Sequence, residues 1–266
     1  MAYYRRFSCK VNAIASKIIF SSLQPTLKAQ AIAPSILAAL HQIRQAVELS
    51  QTFNPLISDR DFAIGSSDYT SLVLLPSLLA FSHKNAPNLN YRMIGFEKDA
   101  VGELLEQGAI DVALGVFSDP PRQTLSEPLF TEHFVGIARQ DHPALVRGTM
   151  DLESFAKLPH ALFTLRRDAI GEVDRVLAEH NLQRRIALTT PHLLVLPSAI
   201  AKSDLVATVP YRIALHLASF CNLSIFELPI NTKPWMVSMI WSTLSDRDEA
   251  SCWLRQSIKT ICQQIN

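Results

Sequence analysis

Ser67, Asp68, Tyr69 and Thr70 stand where a short apolar run, FAIG (62–65), gives way to the helix-like segment LVLLPSLLAF (72–81). A helix that starts at such a turn presents unbonded amides and the positive end of its dipole. Neighbouring hydroxyls add donors, so the turn suits a small carboxylate. Asp68 has a second reading as the N-cap of that helix, since Asp is a favoured cap and its charge repels a bound acid. Ser67, Tyr69 and Thr70 are the better ligand candidates of the four.

Other candidates lie at the ends of further predicted strands. Gly95 and Phe96, then Gly115, Val116 and Phe117, are expected on the same sheet edge by topology. For both phenylalanines core packing is an equal alternative. From the second half of the chain come Thr164, Thr190 and His192, with His192 able to pair with an anion or simply face solvent. Arg166 and Arg167 read as surface charge, one of them within reach of the cleft mouth.

The motifs of catalysis are missing. GSSDY (65–69) is not a nucleophile elbow, no glycine-rich phosphate loop follows a strand, and no carboxylate pair stands out. Cys9, Cys221, Cys252 and Cys262 have neither CxxC nor Cys/His ligand spacing. No metal, cofactor or structural disulfide is expected, and the chain is read as a non-enzyme of a reducing compartment.

The elements that must carry these residues alternate. Strand FAIG, a helix ending before Pro87, strand LNYRMIGF, helix KDAVGELLEQG and strand AIDVALGVF imply a parallel, doubly wound sheet. SEPLFTEHFVGIARQDHP reads as one long strand. The theme then repeats: strand ALFTL, helix DAIGEVDRVLAEHN, strand RRIALTT, helix PHLLVLPSAIAKS, strand DLVATV and helix PYRIALHLAS. LSIFELPI and WMVSMIWS are further strands, and an amphipathic helix closes the chain. Two α/β lobes result: lobe I over about 58–140 and 232–266, lobe II over about 141–231, with the boundary near 138–150. Ligands of such sheets sit in the cleft at the strand ends.

Ahead of this unit, residues 25–52 read as a separate helix. Thr26 is its expected N-cap, and Ala29, Ala33, Ile36, Leu40, Ile43 and Val47 recur at spacings of 4, 3, 4, 3 and 4. The narrow stripe suits a partner helix, or the helix packs on its own domain. Pro34 is expected to bend it or delay its regular start. The turn Asn54-Pro55 leads into the domain.

Lys and Arg number 25 against 24 acids, which excludes a global electrostatic draw toward nucleic acid or membrane. Yet the first 47 residues hold Arg5, Arg6, Lys10, Lys17, Lys28 and Arg44 and no acid. Lys10, Asn12 and Lys17 interrupt any apolar signal core, so a cytoplasmic location is expected, with an organellar transit peptide over residues 1–24 as the alternative.

FAIGSSDYTSLVLLPSLLAF, LLEQGAIDVALGV, EPLFTEHFVGIARQDHPAL, DLVATVP with YRIA, and DRDEASCWLRQ together resemble the LysR-type transcriptional regulators. The likeness runs from about Gln24 to the C-terminus and is strongest to the branch of nodulation-gene and aromatic-catabolism regulators. It implies a two-lobed effector-binding domain similar to type 2 periplasmic binding proteins, and a linker helix that dimerises, PTLKAQAIAPSILAALHQIRQA. It also implies a winged helix-turn-helix ahead of that helix, with PT at the end of the wing. Only 24 residues precede Pro25, and residues 1–22 show no helix, turn and helix pattern or wing. The resemblance therefore implies that the DNA-reading domain is missing or disrupted, a remnant or unrelated segment occupying 1–24, and it puts direct DNA binding in question.

The expected function is that of an effector-sensing regulator whose small organic acid or aromatic ligand shifts a dimer or tetramer between arrangements. Two other readings stand beside it. A solute-binding protein without a DNA role would be exported and would need no dimer seam. An interaction role would have the chain join intact regulators through its helix and block their DNA binding.

Overall fold

The computed structural model describes residues 16–19, 22–33, 35, 36, 39, 53–164 and 171–265. Strands β1 (Ser16–Ile19) and β2 (Ser22–Pro25) pair antiparallel as a hairpin, with Ser16 opposite Pro25. The sequence shows no wing pattern here, because four-residue strands are too short to establish an alternation. Helix α1 follows, helical at 27–33, 35, 36 and 39. Thr26 Oγ1 accepts the Ala29 amide at 3.1 Å, the N-cap expected of it. Of the proposed seam, Ala29 is half-buried and Ala33 and Ile36 are exposed. Leu40, Ile43 and Val47 lie outside the described residues, as do Pro34, Arg166 and Arg167.

The first sheet has the order β4 (Asn90–Ile94), β3 (Asp61–Gly65), β5 (Val112–Gly115), β12 (Trp235–Ser242), β6 (Thr124–Glu132). β3 runs parallel to both neighbours, while β12 is antiparallel to β5 and β6. Side chains alternate across the sheet. Phe62 and Ile64 therefore enter one core with Val73, Leu74 and Leu78 of α2 (Asp68–Asn85) and Leu254 and Ile258 of α8 (Glu249–Gln264). Ala63, between them, faces the other core with Val101 and Leu105 of α3 (Val101–Glu106). The closing helix thus completes lobe I.

The second sheet has the order β11 (Leu223–Phe226), β7 (Phe134–Arg139), β10 (Val206–Pro210), β8 (Pro159–Phe163), β9 (Arg185–Thr190). Its helices are α4 (Leu152–Lys157), α5 (Glu172–Glu179), α6 (Leu196–Ala201) and α7 (Tyr211–Phe220). β8 is parallel to β10 and β9, whereas β7 is antiparallel to β10 and β11. Both sheets are therefore mixed, not wholly parallel as predicted. The strands that connect the lobes enter each sheet from the opposite direction.

The single long strand predicted across 126–143 is two strands in different sheets. The chain changes lobe at His133, the one residue between β6 and β7 and ahead of the expected 138–150. The crossing falls at the polar residues Thr131, Glu132 and His133 with no Gly or Pro to break the run, so the sequence pattern carries no mark of it. Helix α4 also escaped the sequence reading. Its six residues make less than two turns, and its Asp151 cap, which accepts the Ser154 amide at 2.9 Å, is the one local sign of it.

Candidate functional site

The first turn of α2 begins where the parallel strand β3 ends. Ser67, not Asp68, is the N-cap: its backbone is extended, whereas Asp68 is already helical and exposed. Ser67 Oγ accepts the Thr70 amide at 3.4 Å, and Thr70 Oγ1 accepts the Ser67 amide at 3.0 Å. This capping box consumes two first-turn donors and the hydroxyl of Thr70, which is buried. Among the described residues, no capping side chain meets the amides of Asp68 and Tyr69. One residue upstream, Ser66 Oγ lies 2.6 Å from Ser71 Oγ and tightens the same bend.

Tyr69 reaches across to the second lobe. Its hydroxyl donates to Glu132 Oε2 at 2.7 Å, and burial together with that bond pushes it above the usual phenol range. Its ring and Leu72 pack against the lobe II cluster that holds Val135, Ile137, Leu193 and Ile213. The candidate turn is thus seated on the seam between lobes. Behind it, a small apolar void is flanked by Thr70, Phe130 and Cys262. Burial pushes the Cys262 thiol up to about 12, so it is un-ionised at neutral pH and a poor nucleophile.

At the other strand ends of lobe I, Gly95 is exposed, with no heavy atom within 4 Å of a Cβ placed there. Phe96 and Phe117 stack with ring centroids 6.3 Å apart and pack against the α3-side core. Val116 is 37% exposed, and Gly115 closes β5 under the Phe117 ring. Both phenylalanines therefore serve packing. In lobe II, Thr164 donates its amide to the Thr190 carbonyl at 3.1 Å, joining the ends of β8 and β9. Thr190 is buried and its Oγ1 accepts the His192 amide at 3.1 Å, while the His192 side chain is exposed. The structure brings together Ser67 with Thr70, Phe96 with Phe117, and Thr164 with Thr190 and His192.

Three further residues were not singled out by sequence. Glu132 is wholly buried at the end of β6, and Arg212 donates Nη1 to the Thr131 carbonyl at 2.9 Å. Thr208 Oγ1, on β10, is buried and makes no hydrogen bond among the described residues. A lone Glu at a strand end or a lone Arg in a helix's first turn gives no spacing signal. A Thr in a strand reads as an ordinary β-former.

Residues 58–263 match the family model described as the LysR substrate binding domain. The chain belongs to the LysR family. Similar to it is the HTH-type transcriptional activator NahR of Pseudomonas putida, 28% identical over 234 residues, which span 88% of this chain and 78% of NahR. Nodulation protein D 1 of Sinorhizobium fredii is 31% identical over 242 residues, 88% of this chain and 72% of that protein. The crystal structure of a probable transcriptional regulator from Pseudomonas aeruginosa superposes with a TM-score of 0.78 at 27% identity, covering 97% of this chain and 87% of that one. The two sheets described above are the two lobes of a LysR regulatory domain, built like a type 2 periplasmic binding protein. These LysR relatives are named as regulators, not enzymes. Among the described residues, no helix is long and apolar enough to cross a membrane.

Proposed function

We propose that this LysR-family chain senses a small organic acid or aromatic compound between its lobes and takes part in the control of transcription in the cytoplasm. The observation that carries the reading is the position of the α2 first turn. Its uncapped amides are those of Asp68 and Tyr69, and the Tyr69 ring packs with Leu72 on the second lobe. A ligand held there touches both lobes and binds their arrangements unequally, the condition for a conformational response. Aromatic ligands fit the apolar seam, and the helix start favours a carboxylate.

Titration calorimetry with benzoate, phenylacetate and succinate tests this reading. An aromatic acid is expected to bind with one site per chain. Ser67→Ala, which unties the capping box, is expected to weaken binding more than the distant Ser154→Ala. Absence of heat for all three probes, or equal loss in both variants, rejects the acid-sensing assignment.

A second reading follows from the exposed stripe of α1. Ile32 and Ile36, one turn apart, are 42% and 51% exposed, and the neighbouring Ala33 is exposed as well. This supports self-association through α1, or pairing with an intact relative through the same stripe. Native mass spectrometry of the chain alone and mixed with a full-length relative distinguishes the two by the masses of the dimers. Monomers only would remove both.

A further inference from the structure

Glu132 ends β6, and its side chain has no exposure to solvent. A carboxylate taken out of water needs donors that replace its hydration. Its donors come from both lobes. Oε2 accepts the Tyr69 hydroxyl at 2.7 Å from the first turn of α2, and the Arg212 amide at 3.4 Å from the first turn of α7. The Arg212 guanidinium lies 3.5 Å from the same oxygen, while Oε1 accepts the His133 amide at 2.9 Å with His133 Nδ1 at 4.0 Å. Arg212 also lies over the Phe130 ring, 4.4 Å from its centroid, and the Tyr211 amide donates to the His133 carbonyl at 2.9 Å.

Helix α7 explains the arrangement. Its N-cap position is Pro210, whose side chain accepts nothing, and its first turn holds no acid. A helix start requires acceptors for its first amides and favours negative charge beside them. Glu132 meets both needs from the other lobe. We infer that Glu132 is a positioning residue, a cap that lobe I supplies to the lobe II helix α7, and that Tyr69 is the lobe I donor holding it in place.

The pivot between the lobes at this crossing is His133 alone. Bonds from Glu132 to His133 and Arg212 sit on that pivot, whereas the Tyr69 bond spans from α2. Reorientation of α2 against α7 carries Tyr69 along with Glu132 and must break the Glu132 bonds to Arg212. The inference concerns the ligand-free seam and stands apart from which compound the domain binds.

Amide hydrogen exchange of the full chain, read by mass spectrometry, tests it with Tyr69→Phe, Glu132→Gln and Glu132→Leu. The control is Tyr91→Phe, which removes a buried hydroxyl 2.6 Å from Ser82 Oγ inside lobe I. Tyr69→Phe and Glu132→Leu are expected to speed exchange over 131–134 and 211–214 by about tenfold, the scale of one charge-assisted hydrogen bond, with β3, β5 and β8 unchanged. Glu132→Gln keeps an acceptor oxygen and is expected to fall between these and the wild type. Tyr91→Phe is expected to leave 211–214 as in the wild type. Unchanged exchange at 211–214 in Tyr69→Phe, or an increase spread evenly through both lobes, overturns the inference. Should Glu132→Leu fail to fold, the Tyr69→Phe result alone decides.

Discussion

Phe96 and Phe117 lie nearly parallel, with 14° between their planes, and close over two glycines at the strand ends of the first sheet. A Cβ on Gly115 would meet the Phe117 ring at 3.3 Å. One on Gly65 would meet the Phe96 ring at 3.1 Å and Ile110 Cδ1 at 2.8 Å. The absence of side chains at the two glycines is what lets the rings lie flat against the edge.

Gly65→Ala is therefore an overpacking change at a buried position, and it is expected to cost about 1–3 kcal/mol. Gly95→Ala, with nothing within 4 Å, is expected to change stability by less than about 0.5 kcal/mol. Urea denaturation of the two variants measures both. Equal midpoints would show that the aromatic pair yields without cost.

Thr208 carries a buried hydroxyl with no partner among the described residues, and desolvating such a group costs roughly 1–3 kcal/mol. Replacement by the isosteric Thr208→Val removes that group and keeps the shape. Stability is expected to rise by about 1 kcal/mol. A fall in the denaturation midpoint would mean that an ordered water or a ligand holds the hydroxyl.

His160 is buried in β8 of lobe II, its ring edge-on to Phe155 and its Nε2 2.8 Å from the Phe155 carbonyl. Burial, helped by the Arg184 guanidinium, depresses its pKa from 6.5 to about 4. Above pH 6.5 the folded and unfolded forms are both neutral, and the histidine has no effect on pH dependence. As pH falls toward 4, the unfolded chain gains a proton that the folded one refuses. Its share of the stability loss grows to about 3 kcal/mol by pH 4 and then levels off. His160→Gln is expected to flatten this part of the stability curve, measured by denaturation between pH 7 and pH 4. A slope unchanged from the wild type would refute it.

Ile36 sits 51% exposed on the stripe of α1. Ile36→Glu places a charge on the proposed seam and is expected to shift sedimentation from dimer or larger toward monomer, with the domain's unfolding unchanged. Identical sedimentation of variant and wild type would remove the stripe from the interface.

Much of this protein was legible along the chain. FAIG, AIDVALGV and WMVSMIWS are apolar runs bounded by turn residues, and each is a core strand. Thr26 was readable as a cap because capping acts within one helical turn. Asp68 shows the limit of that reasoning: Ser67 and Asp68 are both good caps one residue apart, and only the backbone path chooses Ser67. The change of lobe at His133 was not legible, since no Gly or Pro interrupts the run where one strand passes into the next.

By itself, then, the sequence determined the alternating elements, the capped start of the front helix and the family, because these rest on periods and caps that act over a few residues. Only the tertiary structure decided what Glu132 does. Its donors Tyr69 and Arg212 are 63 and 80 positions away, and a buried carboxylate takes whichever donors packing brings to it.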